Sequence, residues 1–158
     1  MEHCNKVFHA EREAMNIAIG ADHAGFEQKE LLKNYLVEQG FSVHDKGCFS
    51  EDRVDYPDFA KTVSEAVAAG VADYGVLVCG TGIGMAMAAN KVKGIRAANV
   101  ITPEFAQLAR EHNNANVLTV SGRFVDIETN KTILDAFLNT EFAGGRHECR
   151  VSKIMELE

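Results

Sequence analysis

The hexapeptide Cys79-Gly80-Thr81-Gly82-Ile83-Gly84 follows the apolar run Gly75-Val76-Leu77-Val78 and precedes the helix-forming stretch Met85-Ala86-Met87-Ala88-Ala89-Asn90. That order puts a thiol at the end of a buried strand, a flexible loop after it, and a helix N-terminus facing the same space. Small side chains leave backbone N–H groups free to point at an anion, and a helix N-terminus adds roughly half a positive charge. Such a field favours a sulfur anion, which makes Cys79 a candidate base or nucleophile. Taken alone, Cys79 also fits a buried small hydrophobe, because free cysteine is among the most buried residue types. Three glycines at alternate positions carry an entropic cost that a loop with no ligand would not need.

Three further groups carry chemistry. Asp22 and His23 end an apolar run and precede Gly25-Phe26. A carboxylate beside an imidazole orients sugar hydroxyls or a phosphate, and the same pair also reads as an ordinary helix N-cap. Arg110, His112 and Asn113 close a helical pattern, where a cationic side chain can simply answer the helix dipole. In Gly144-Gly145-Arg146-His147-Glu148-Cys149-Arg150, the arginines are four apart and share one helical face, which Lys153 extends. That stripe reads either as a solvated surface or, in a chain this acidic, as a fork for a phosphate.

A glycine-rich turn first suggests a nucleotide. The dinucleotide fingerprint needs G-x-G-x-x-G after the first strand and an acidic residue about 20 positions later. Here G-x-G-x-G follows the third strand, Asn99 stands where the acid would be, and no Gly-Lys-Ser or Gly-Lys-Thr completes a P-loop. Neither NAD nor ATP is supported, and no cofactor is expected. The remaining arrangement is an anion hole beside a potential base, suited to proton transfer next to a carbonyl as an enolate-like oxyanion forms.

The elements that must position these groups follow from the patterning. A chain of 158 residues with 46% apolar and 25% charged content reads as one soluble domain with a real core. A net charge of -7 disfavours nucleic acid, which is bound by neutralising phosphates. No apolar stretch approaches the roughly 20 residues of a membrane span, and no signal-peptide core is present, so a cytoplasmic protein is expected. Cys4, Cys48, Cys79 and Cys149 form no C-x-x-C pair, which argues against a disulfide framework or a zinc site and for free thiols.

Residues 1 to 14 show no strand pattern and read as a dispensable or disordered extension, with the domain running from 15 to 158. Strands are expected at 16–20, 42–47, 75–79, 95–100 and 117–121. Helices are expected near 25–39, 58–69, 83–91, 103–112, 125–139 and 148–157. Alternation of this kind implies a single three-layer α/β/α sandwich, Rossmann-like and doubly wound, with about five parallel strands. Ligands bind beyond the carboxyl ends of such strands, which here supply Asp22, His23, Cys79 to Gly84 and Arg123.

From Met15 onward the chain resembles type B ribose-5-phosphate isomerase. The resemblance is carried by Ile19-Gly20-Ala21-Asp22-His23-Ala24-Gly25-Phe26, Asp55-Tyr56-Pro57, Cys79 to Gly84 and Ala89-Asn90-Lys91. Gly94-Ile95-Arg96, His112-Asn113 and Gly144-Gly145-Arg146-His147 with Arg150 continue it in the same order. It implies metal-independent interconversion of ribose 5-phosphate and ribulose 5-phosphate by a homodimer or tetramer of dimers, with sites at the dimer interface. It makes Cys79 the base that moves the proton between carbons 1 and 2. Thr81 and the amides of Gly80, Gly82, Ile83 and Gly84 would hold the enediolate. His112 would assist opening of the furanose ring, and Asn113, Asp22, His23 and Tyr56 would contact substrate. Arg123, Arg146 and Arg150 would bind the phosphate. One branch of the family uses a Glu just after the glycine loop, where Met85 stands here. Related galactose-6-phosphate isomerase subunits lack the His-Asn pair and the Arg-His tail, so the pentose is favoured. Allose 6-phosphate as substrate, or a non-catalytic sugar-phosphate-binding protein, are the alternatives.

Overall fold

The computed structural model describes residues 14–158. The proposed extension, residues 1 to 14, lies outside the described residues except for its last member. Five strands, β1 (Asn16–Ala21), β2 (Ser42–Asp45), β3 (Tyr74–Cys79), β4 (Ala97–Asn99) and β5 (Val117–Ser121), form one sheet in the order β2-β1-β3-β5-β4. Every pairing is parallel. Central strands covered on both faces need continuous apolar runs, and Ile17, Ala18 and Ile19 in β1 and Val76, Leu77 and Val78 in β3 are fully buried.

The helices are α1 (Phe26–Glu38), α2 (Tyr56–Ala68), α3 (Ile83–Ala89), α4 (Pro103–Asn113), α5 (Ile127–Leu138) and α6 (Arg146–Met155). One apolar cluster, with Leu32, Leu36, Ile133, Leu134 and Phe137, fills the sheet face under α1, α4 and α5. A second, with Ala60, Val63, Met85 and Ala89, fills the opposite face under α2 and α3. The expected three-layer sandwich is therefore present. Its chain reverses winding between β1 and β3, the switch point where the carboxyl ends of neighbouring strands leave a crevice.

Boundaries differ where turns compete with strands. β4 is three residues rather than six, because Ile95 N–H turns back to the Val92 carbonyl at 3.2 Å. α2 begins at Tyr56, two residues early, with Pro57 in its first turn, where the missing N–H costs nothing. α6 likewise starts at Arg146, so both arginines of the tail belong to the helix. No helix among the described residues is long and apolar enough to cross a membrane.

Candidate active site

Cys79 is the last residue of β3 and 5% exposed. Its Sγ accepts the Gly82 N–H at 3.1 Å, and Thr81 Oγ1 accepts the Ile83 N–H at 3.1 Å. The loop folds this tightly because Gly82 takes φ +83°, and a methyl there would overlap Asn99 Oδ1 and the Val120 backbone. Ser121 Oγ donates to the Gly80 carbonyl at 2.7 Å, and the Gly122 and Arg123 amides donate to the Cys79 and Gly80 carbonyls. The Cys79 and Gly80 carbonyls are thus held from behind, while the Gly82 and Ile83 amides are bonded within the loop. The amides of Gly80, Thr81 and Gly84 have no acceptor among the described residues.

β1 delivers the opposite wall. Asp22 is 6% exposed, and its Oδ1 accepts the Gly25 N–H at 3.0 Å, a tight turn that leads into α1. His23, half-buried, accepts the Val54 N–H on Nδ1 at 3.2 Å. Tyr56 packs closely on Gly84, whose added Cβ would come within 2.6 Å of the ring, and Arg123 packs on Gly80. Asp22, His23, Tyr56, Cys79, Gly80, Thr81, Ile83, Gly84 and Arg123 thus line one cleft of about 450 Å³. Gly82 is buried beneath it. Met87 and Ala24, which sequence reasoning passed over, complete the wall. Met87 follows Ile83 by one helical turn, and that spacing was a usable signal.

The other expected residues gather elsewhere. His112 and Asn113 end α4, and Arg146 and Arg150 project from α6 as exposed side chains. None of the four lines the Cys79 cleft. His112 stacks on His147, with ring centroids 4.4 Å apart and planes 15° apart. Desolvation, and then the charges of His112, Arg146 and Arg150, hold the His147 imidazole below its ordinary pKa. His147 belongs to this cluster although the residue roles left it out, and its place three residues before Arg150 was the available signal.

Buried Arg110 fixes that helix end. It donates to Asn114 Oδ1 at 2.9 Å, the Ala115 carbonyl at 2.6 Å and the Thr140 carbonyl at 3.2 Å, with its guanidinium over Tyr74. Asn113 instead faces a larger hollow of about 650 Å³, shared with Asn90, Lys91, Arg96 and Ile154. The carboxylate lining that hollow, Glu158, accepts the Gly94 N–H. Among the described residues, no three His, Cys, Asp or Glu side chains are grouped to hold a metal ion, and Cys48, Cys79 and Cys149 are free thiols.

The sequence profile of the family described as Ribose/Galactose Isomerase matches residues 17–154. Ribose-5-phosphate isomerase B of Escherichia coli (strain K12) is 49% identical over 142 residues, 90% of this chain and 95% of that protein. A crystal structure of a ribose 5-phosphate isomerase from Thermotoga maritima superposes with a TM-score of 0.89 at 52% identity, covering 91% of this chain and 99% of that one. Ribose-5-phosphate isomerase B from Mycoplasma genitalium with bound ribulose-5-phosphate gives 0.88 at 44% identity, covering 92% and 97%.

Proposed function

This chain belongs to the ribose/galactose isomerase family, and from that premise we propose that it interconverts ribose 5-phosphate and ribulose 5-phosphate through an enediolate. The observation that carries the reading is a buried thiol at the foot of a cleft whose wall offers three unpaired backbone N–H donors. Cys79 takes the proton from carbon 2 of the open-chain aldose. The electron pair moves onto the carbon 1 oxygen, where the amides of Gly80, Thr81 and Gly84 receive the charge as it forms. A proton passes from the carbon 2 hydroxyl to the carbon 1 oxygen, and return of the proton from Cys79 to carbon 1 then gives the ketose. Preorganised donors of this kind do not reorganise during the step, and each is worth roughly 2.7 to 4 kcal/mol of barrier in well-studied cases.

Ring opening needs an acid and base at the anomeric oxygens, which His112 supplies, with Asn113 beside it. Phosphate is held by Arg123 together with Arg146 and Arg150, and Asp22, His23 and Tyr56 contact the sugar phosphate. The His112 cluster does not line the cleft of its own chain, so it serves the cleft of a second copy, in a homodimer or a tetramer of dimers. The acidic chain has no role for nucleic acid or membrane, and the reaction proceeds in the cytoplasm without a metal or cofactor.

The test compares turnover of ribose 5-phosphate with that of allose 6-phosphate. The pentose is expected to give the higher kcat/KM, and a preference for the hexose would move the assignment to six-carbon sugar phosphates. Turnover of neither would leave a binding protein.

A further inference from the structure

Among the described residues His23 is the one imidazole lining the Cys79 cleft, and its ring is held from behind by an amide. An amide N–H can only donate, so Nδ1 keeps its lone pair toward Val54, and the proton of the neutral ring sits on Nε2. We propose that the Val54 amide is a positioning group that fixes His23 as the Nε2–H tautomer, so that the ring presents one N–H donor to an oxygen of the bound sugar phosphate. The identity of that ligand rests on the function proposed above; the tautomer does not.

The segment carrying Val54 has no regular structure from Lys46 to Asp55 and would wander without anchors. Its anchor is a fully buried cation. Lys29 Nζ donates to the Cys48 carbonyl at 2.6 Å and to both Asp45 oxygens at 2.9 Å, and Asp45 Oδ1 accepts the Gly47 N–H at 2.9 Å. Burial pushes the Asp45 carboxyl up, but hydrogen bonds from Lys29, the Gly47 amide and Lys33 outweigh it and hold it below its usual range.

Gly47 and Cys48 then bracket the end of β1. Ala21 N–H donates to the Gly47 carbonyl at 2.6 Å, and Cys48 N–H donates to the Ala21 carbonyl at 2.8 Å. Ala21 is two residues before His23. The segment therefore leaves from the backbone beside His23 and returns to its ring, which sets both the tautomer and the ring's rotation.

The test is long-range proton–nitrogen NMR of the ligand-free enzyme labelled with nitrogen-15 histidine at about pH 8, where a free imidazole is neutral. The His23 signals, identified by their loss in His23→Asn, are expected to show an unprotonated Nδ1 and a protonated Nε2. In Val54→Pro, which removes the single N–H, the two nitrogens should move toward averaged values. KM for ribose 5-phosphate should then rise about 2- to 10-fold, the size of one net hydrogen bond, with kcat nearly kept.

Should that variant fail to fold, His23→Gln restores an N–H donor at the Nε2 position, and His23→Asn restores only the acceptor for Val54. Gln is expected to hold KM below that of Asn, and equal KM values would overturn the donor role. A His23 spectrum with the proton on Nδ1 would overturn the lock whatever the chain isomerises. The expected spectrum without turnover of ribose 5-phosphate would leave the lock standing and remove the substrate.

Discussion

Around Cys79 nearly every functional group is delivered by backbone at the ends of strands, whereas around His112 the groups are side chains on the ends of helices. The Cys79 cleft is built from β1, β3 and the turn after β5, with the sulfur, the Gly80 carbonyl and the Asp22 carboxylate all fixed by main-chain or short hydroxyl partners. The His112 cluster is held by one buried arginine and one ring stack, and its own arginines are exposed. The first arrangement is rigid before substrate arrives and suits charge stabilisation. The second has long, exposed cations, which suit capture of a phosphate that must also leave. Each region lacks what the other holds, since among the described residues the cleft has one arginine and the helix cluster has no buried thiol.

The largest expected effect breaks the cleft alone. Cys79→Ala removes the one thiol that the described residues bring to the cleft, so isomerisation should fall on the order of 100- to 10,000-fold, the contribution of a positioned general base. Affinity for ribulose 5-phosphate, measured by calorimetry, should stay within a few-fold, because the amides and arginines remain. Turnover close to that of the unaltered enzyme would show that another group moves the proton.

A smaller effect tests whether the two regions meet across a pair of chains. Cys79→Ala and His112→Asn each disable one region, and in a symmetric dimer a mixed pair restores one of its two sites. Random re-pairing of equal amounts makes half the dimers mixed, so about a quarter of full activity should return. Activity no higher than the mean of the two parents would mean that the clusters act within one chain, or not together.

The strands and the loop were legible because their signals are local. Continuous apolar runs marked β1, β3 and β5 within a residue or so, and the alternate glycines of 80, 82 and 84 marked the donor loop. What stayed hidden depends on partners far along the chain. Lys29 sits on α1 as one of many surface-type residues in the sequence, and its full burial is answered by neighbouring Glu30 together with the distant Asp45 and the Cys48 carbonyl, 16 and 19 positions away. The Val54 amide carries no side-chain signature at all, and it reaches His23 across 31 residues. The separation of His112 from Cys79 was equally invisible, since strand ends converge by topology, but a helix end can face either way. The Arg146 stripe was readable as a stripe, while the ring stack that ties it to α4 depends on how α6 packs.

The smallest expected effect belongs to a contact outside both regions, which makes it the control for the comparison. Tyr35 on α1 donates its hydroxyl to Asp135 on α5, 2.7 Å from both carboxylate oxygens. That hydrogen bond first, then burial and the charges of Asp135 and Glu128, raise the Tyr35 pKa to about 12. A group whose pKa is raised on folding stabilises the fold fully below its unfolded value, near 10, and that contribution is lost as pH rises through the folded value. Tyr35→Phe should therefore cost about 1 kcal/mol at neutral pH, the net worth of one half-exposed hydrogen bond, and leave kcat/KM unchanged. As pH climbs from about 10 past 12, the gap between the two proteins in urea unfolding should close, because only the tyrosine has a proton to lose. Stability curves that stay parallel over that range would show that the hydroxyl contributes nothing to the alkaline decline. A fall in kcat/KM at unchanged fold would show that the helical layer is coupled to the cleft, and the division between a rigid strand-end region and a separate helix-end region would have to be redrawn.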